Sequence, residues 1–541
     1  MSKNEELSYK RTVLYGNDFF EIVSCEWSNT SISELHDHGW SQCLILVQEG
    51  CFENRAEFGL KTELSIHEPG QVIVTPKGAE HEIKCVSQKG KTLHVYVPKI
   101  HSHEGDHVFS SGSLSQIRSK LDLNLTSDPT RWKEVELVLN KISELSISTH
   151  SPFFMNQLFS GVFPETLVAE SLAAQSKTTM ATFEASPAFT AVELEVVDRL
   201  CELIGWALHC RDGICVPGGS AANFMAIHCA RQRLFPDSKE FGNRGVNFKV
   251  FVSTAAHYSM KKACAALGLG TNAIVLIDTD QSGRMLPHKL REALSLAKSK
   301  AEVPLMVCAT AGTTVHGAFD PIEEIAQICE PEKVWLHVDG AWGGPALFSA
   351  QAKHLIKGIE KADSMTFDAH KLFGAGLTCS FFLTRQRGLL QEANDVVGGD
   401  YIFHSDEVTE DRGRLSWQCG RGPDALSFWT LWKSLGSEAL GGFVDRLFSL
   451  RSECVSWIQS QPRLELVANP EYLNICVRVH APKEMDPDWS KKVREKLKTE
   501  NFALVNFSKD SHGTFLRLIL ANPKIKFEHV EQILSRALEV K

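Results

Sequence analysis

A chain of 541 residues is several times the size of one ordinary domain, so two or more folded units are expected. Its 43% hydrophobic and 23% charged shares are those of soluble globular protein. A formal net charge of −9 without polybasic runs excludes a nucleic-acid footprint and a basic segment that would seek an anionic membrane.

The opening MSKNEELSYKR is charged and lacks the apolar core of a secretory signal, and no apolar stretch reaches the roughly 18 residues of a membrane helix. The fifteen cysteines are scattered, odd in number and free of CxxC pairs, which predicts reduced thiols in a cytoplasmic protein. Residues 1–105 read as short strands (FFEIVSCEW, QCLILVQEG, QVIVTP, TLHVYVP) separated by Gly, Pro and Asn/Asp clusters, hence an all-β barrel. Residues 106–130, rich in Ser, Asp and Gly, read as a linker. WKEVELVLNKISEL has helical spacing and opens a second unit at 131, whose first segment runs to 190. Over 191–440 strands alternate with helices (NFKVFVSTA, AIVLIDT, PLMVCATAG, VWLHVDG), the pattern of a parallel sheet wrapped by helices. Residues 441–541 read as a smaller α+β domain. The fold class is therefore multidomain: a β barrel followed by an α/β domain with an α+β cap.

In the first unit His36 and His38 stand two apart in ELHDHGW, so on a strand both imidazoles share a face. His81 opens another strand, and Thr92, His94 and Tyr96 alternate along one face of a third. Three imidazoles can hold Fe, Zn, Ni or Cu and leave positions open, and spacing does not choose the metal. An HxH pair alone is also an ordinary solvated pair.

These residues resemble cysteine dioxygenase, a cupin with non-haem iron on three histidines. The resemblance implies His36, His38 and His81 as Fe(II) ligands and Cys43 as the cysteine that cross-links to a tyrosine, Tyr96. It also implies His94 as the histidine supporting that pair, with Thr92 where the family has serine. Tyr9 and Arg11 match its Tyr-x-Arg, whose arginine grips the substrate carboxylate; a guanidinium fork suits that task.

In the second unit, Asp339 of HVDGAWGG ends an apolar strand, where parallel sheets place ligands. Lys371 follows in DSMTFDAHKLFG; a lysine can bond covalently to pyridoxal phosphate and an aspartate can keep its ring nitrogen protonated. VPGGSAANF places glycines before a helix, suited to phosphate capture by backbone N–H groups, with the Ser220 hydroxyl at hand. His257 in STAAHYSMKK could stack on the cofactor. Taken singly, such a lysine, aspartate or Gly-Gly is usually a surface residue, a turn former or a bend.

From about 149 to 541 the chain resembles the pyridoxal-phosphate decarboxylases of glutamate, cysteine sulfinate, aspartate and aromatic amino acids. The carrying motifs include THSPFFMNQLFSG, PGGSAANF, HYSMKKACAALGLGT, CATAGTTVHGAFDPI, DAHKLFG, QCGR and FLRLILANP. The resemblance implies a fold-type I, aminotransferase-like domain, with Lys371 as the cofactor lysine, Asp339 as its ring-nitrogen partner and His257 as the stacking residue. Thr310, Ala341, Ser220, Asn223 and His370 would be further cofactor contacts, and Arg517 the clamp on the substrate α-carboxylate. Gln157 to Phe159 would line the pocket for the distal acid. Phe159 stands where glutamate enzymes have a small polar residue and sulfinate enzymes Phe; one methylene is worth about 1–3 kcal/mol there, favouring a three-carbon acid. Two departures weaken the match: Thr179 and Ala181 stand where sulfinate enzymes carry Ser and Tyr, and the loop HSDEVTEDRGRLSWQCGR lacks the family's proton-donating tyrosine.

Together the resemblances imply a bifunctional, hypotaurine-forming enzyme of taurine biosynthesis, a homodimer through its decarboxylase unit. Its partners would be small molecules only: cysteine, cysteine sulfinate, aspartate and O2. The alternative is an aspartate or acidic amino-acid decarboxylase carrying a vestigial or thiol-sensing cupin.

Overall fold

The computed structural model describes residues 9–16, 21–28, 31–33, 42–58, 61–75, 80–97, 108–396, 399, 401–404, 410–482 and 485–541. His36 and His38 therefore lie outside the described residues. The chain divides into two compact units, Met1–Ile147 and Ser148–Lys541.

The first unit contains strands β1 (Tyr9–Gly16), β2 (Glu21–Ser28), β3 (Gln42–Glu49), β4 (Phe52–Phe58), β5 (Lys61–His67), β6 (Val72–Thr75), β7 (Glu80–Cys85) and β8 (Lys89–Val97). They form one sheet in the order β1-β2-β8-β3-β6 and another in the order β5-β4-β7, every pairing antiparallel. Strand alternation sorts the faces: Cys43, Ile45 and Val47 of β3 and Thr92, His94 and Tyr96 of β8 are all buried. Val23, Cys25, Trp27, Phe52, Ile73 and Ile83 complete this core. Helices α1 (Leu114–Lys120) and α2 (Trp132–Leu145) follow. The stretch expected as linker thus carries a helix, started by a capping box between Ser113 and Gln116 that supplies the first turn with partners.

The second unit runs through β9 (Phe154–Met155), α3 (Pro164–Ser176), α4 (Pro187–Ile204), β10 (Asp212–Pro217), α5 (Gly219–Leu234), α6 (Ser238–Phe241), β11 (Phe248–Ser253), α7 (Ser259–Ala266) and β12 (Ile274–Ile277). Next come α8 (Pro287–Ser299), β13 (Val303–Thr310), α9 (Ile322–Glu332), β14 (Trp335–Gly340), β15 (Ser364–Asp368), β16 (Cys379–Thr384) and α10 (Leu389–Asn394). The chain ends with α11 (Ala425–Gln459, broken at Gly436), β17 (Leu464–Leu466), β18 (Asn474–Val479), α12 (Trp489–Thr499), β19 (Leu504–Asp510), β20 (Gly513–Ile519) and α13 (Phe527–Leu538).

The large sheet has the order β10-β16-β15-β14-β13-β11-β12. Strands β11 to β15 are parallel as expected, while β16 runs antiparallel between β10 and β15. The reversal follows from its connection: only residues 369–378 link β15 to β16, too few for a crossover helix, and that tight link carries Lys371. Strands β14, β15 and β16 are buried along their whole length, as a sheet covered on both faces requires. The small domain is a sheet in the order β17-β18-β20-β19-β9, so the short β9 from the start of the unit joins strands from its end.

Candidate active sites

In the first unit β3 and β8 pair so that Cys43 lies opposite Tyr96. Cys43 Sγ is 3.8 Å from His94 Nδ1, and the Tyr96 hydroxyl is 3.3 Å from the same nitrogen. On the ring's other side His94 Nε2 is 2.9 Å from Thr92 Oγ1, which accepts from Trp27 Nε1 at 2.7 Å. Burial raises both the Cys43 thiol and the Tyr96 phenol well above their ordinary values, so both hold their protons at neutral pH. The Arg11 guanidinium lies 5.8 Å from the Tyr96 ring centroid, and Tyr9 stacks on Trp27 at 4.0 Å. Buried His81 has Nδ1 3.3 Å from Asn54 Oδ1. A hydrogen donated there makes Nε2 the ring's acceptor nitrogen. Among the described residues no group of three His, Cys, Asp or Glu side chains is gathered to hold a metal.

In the second unit the strand ends converge. Thr310 of β13 is the register partner of Asp339 at the end of β14. Asp339 Oδ2 accepts from Asn223 Nδ2 at 2.8 Å and Oδ1 from the backbone N–H of Ala341 at 3.1 Å. Asn223 belongs to the first turns of α5, which is preceded by the capping residue Gly218, whose φ of 95° favours glycine. Gly219 is required for space: a Cβ there would stand 2.7 Å from Asp368 Oδ2. That same oxygen is 3.0 Å from Lys371 Nζ. Asp368 Oδ1 accepts from Ser380 Oγ at 2.6 Å, and His370 is fixed by its Nδ1, 2.9 Å from the Cys379 carbonyl.

His257, between β11 and α7, accepts the Ser259 N–H on Nδ1 at 3.3 Å, so its ring proton sits on Nε2. Burial lowers its pKa, Asp339 opposes that and the Lys371 ammonium adds to it. Ser220 is exposed in the first turn of α5. Thr310 Oγ1 is buried without a hydrogen-bond partner among the described residues, an orphaned hydroxyl at the mouth of the sheet. Orphaned hydroxyl, helix start, lysine and carboxylate together fit pyridoxal phosphate.

Arg517 of β20 donates to the Thr314 carbonyl at 2.9 Å and the Asn156 carbonyl at 3.1 Å, while its buried Nε has no partner among the described residues. The next residue after Asn156, Gln157, is exposed; Phe159 is half-buried with its ring 6.1 Å from Phe154. The structure therefore brings Arg517 beside the segment 156–159. Two further groups escaped the sequence reading. Asp368 was signalled only by its place three residues before Lys371, and His337 by its place two residues before Asp339. Arg421 of QCGR turns out to join Arg412 on buried Glu193, at 3.3 and 3.1 Å. Burial raises the Glu193 carboxyl, but the two guanidiniums bring it below its ordinary value.

The model of the pyridoxal-dependent decarboxylase conserved domain matches residues 115–480. Rattus norvegicus cysteine sulfinic acid decarboxylase is 36% identical over 426 residues, which span 75% of this chain and 86% of that protein. Mus musculus acidic amino acid decarboxylase GADL1 is 35% identical over 436 residues, 78% of this chain and 79% of that protein. The crystal structure of mouse CSAD matches with a TM-score of 0.75 at 34% identity, covering 79% of this chain and 91% of that one. Among the described residues no helix is long and apolar enough to cross a membrane. With its fold-type I domain and its family's pyridoxal-phosphate chemistry, the chain belongs to the pyridoxal-dependent decarboxylases.

Proposed function

We propose that the decarboxylase unit acts on cysteine sulfinate, with aspartate as a slower substrate, and that residues 1–105 form a cupin dioxygenase that makes the sulfinate from cysteine. In this assignment 106–130 join the two and 131–541 form the decarboxylase, dimeric like its relatives, in a reducing cytoplasm that suits fifteen free cysteines. The observation that carries the proposal is the buried Cys43–His94–Tyr96 cluster, in the same chain as a decarboxylase resembling cysteine sulfinic acid decarboxylase.

In the decarboxylase, bound pyridoxal phosphate supplies an electron sink for the bond that releases CO2. The chain does the rest. Asp368 stands beside Lys371 Nζ to take the proton that must leave before nitrogen can bond a carbonyl carbon. Arg517 offers the substrate carboxylate a cation already stripped of bulk water, and Phe159 shortens the pocket. One proton replaces CO2 on Cα, giving hypotaurine from the sulfinate or β-alanine from aspartate. In the cupin, bound Fe(II) on His36, His38 and His81 supplies O2 activation. Both oxygen atoms end on sulfur, which is oxidised by four electrons as O2 is reduced by four. Arg11 orients the cysteine carboxylate.

A second reading, an acidic amino-acid decarboxylase with a thiol-sensing cupin, is favoured by Ala181 and by near-equal identity to the GADL1 relatives. The test supplies full-length protein with Fe(II), O2, pyridoxal phosphate and cysteine, and identifies products by mass. Hypotaurine from cysteine, abolished in His36→Ala while decarboxylation of supplied sulfinate persists, is expected. No oxidation of cysteine by wild type, with altered decarboxylation in His36→Ala, establishes the sensor instead.

A further inference from the structure

We infer that four buried side chains behind Asp339, namely Trp335, Ser364, His337 and Asn223, form a one-way hydrogen-bond relay that orients its carboxylate toward the cofactor ring. His337 is thereby a positioning residue for decarboxylation.

The direction follows from the two ends. Trp335 Nε1–H can only donate, and it lies 2.8 Å from Ser364 Oγ. At the other end the Asp339 carboxylate oxygen accepts: Asn223 Nδ2 donates to it at 2.8 Å and to Ser259 Oγ at 2.9 Å. With its NH2 committed there, the Asn223 amide turns its oxygen to His337 Nε2 at 3.1 Å. An amide oxygen accepts, so the imidazole proton sits on Nε2. His337 is wholly enclosed, and burial pushes its pKa down to about 4, with Asp339 opposing, so the ring carries one proton at ordinary pH. Its Nδ1 is then bare and takes the hydroxyl hydrogen of Ser364 at 2.8 Å. Ser364 can give that hydrogen because the indole already fills one of its lone pairs. Thr366 braces the join, donating to Asn223 Oδ1 at 2.8 Å and lying 3.2 Å from His337 Nε2.

Reversal is blocked at both termini, since an indole N–H cannot accept and a carboxylate cannot donate. The same logic picks one of the two Asn223 amide orientations and one His337 tautomer. Sheet geometry supplies the alignment: Trp335 and His337 share a face of β14, and Ser364 is the register partner of His337 on β15.

The test uses full-length His337→Leu, His337→Gln and Ser364→Ala, prepared as apoprotein and reloaded with pyridoxal phosphate. Glutamine keeps the polarity, its N–H donating toward Asn223 and its carbonyl accepting from Ser364. In His337→Leu, cofactor affinity and kcat should each fall by about tenfold to hundredfold. KM should stay within about twofold, because the lost interaction acts on the cofactor and not on substrate binding. The absorption spectrum of the bound cofactor should shift toward the unprotonated ring nitrogen, and His337→Gln should recover most of both losses. A leucine variant with wild-type affinity and spectrum overturns the inference, as does a glutamine variant as impaired as leucine. Should the leucine variant fail to fold, Ser364→Ala decides: weakened affinity and a shifted spectrum support the relay, and unchanged values overturn it.

Discussion

Each unit buries a tryptophan that donates to a hydroxyl that meets a histidine, yet the two runs end differently. Trp27–Thr92–His94 ends on a phenol and a thiol, both held protonated by burial, so either can return a hydrogen and the far end has no fixed sense. Trp335–Ser364–His337 ends, through Asn223, on a carboxylate that can only accept. The terminal group decides whether a hydrogen-bonded chain can exchange a proton or only hold an orientation. The first run therefore suits chemistry at Cys43 and Tyr96, and the second suits a fixed charge beside a cofactor.

The largest expected effect breaks the comparison by crossing the units. Lys371→Ala should cut decarboxylation by several orders of magnitude, since no other amine replaces the nucleophile, while leaving cysteine oxidation intact. Thr92→Val should lower cysteine oxidation by about tenfold to hundredfold by unseating His94, without touching decarboxylation. Sulfinate accumulating from cysteine in the first variant and not in the second is the readout. If either variant silences both reactions, the two units are not separable in the way the two runs imply.

An intermediate effect sharpens the contrast through pH. His337 has a folded pKa near 4, below the ordinary histidine value of 6.5, so the fold is favoured above 6.5 and loses that advantage as pH falls toward 4. Between pH 7 and pH 5 the wild type should lose about 2 kcal/mol more unfolding free energy than His337→Gln, which cannot titrate. Parallel urea titrations at the two pH values measure it; equal losses would mean that the ring is not held neutral.

The smallest effect lies at the pocket wall, beyond either run. Phe159→Ser should shift kcat/KM by about tenfold toward the five-carbon acid glutamate relative to the four-carbon aspartate, the worth of roughly one methylene of space. Competition assays with both acids decide it, and an unchanged ratio removes Phe159 as the determinant.

Much of this arrangement was legible in the residues before any fold. The i, i+2 spacing of Thr92, His94 and Tyr96 told that they share a face, and β8 buries all three. Asp339 at a strand end and Lys371 beyond the next strand follow from the apolar runs that precede them. Two matters were not legible. QCGR marked similarity without saying that Arg421 serves a buried ion pair on Glu193, because that partner sits 228 residues away. The antiparallel β16 was also hidden, since a run of apolar residues carries no direction.

What the sequence determined by itself was local and periodic: which segments are strands, which faces they bury, and where lysine, aspartate and glycine fall relative to strand ends. Only the tertiary structure decided that Ser364 lies opposite His337, that Asn223 of α5 reaches both His337 and Asp339, and that Gly219 makes room for Asp368 beside Lys371. The reason is that a hydrogen bond depends on direction over distances near 3 Å, and spacing along a chain sets such distances only within one strand or one helical turn. Everything that reaches between elements waits on sheet order and packing.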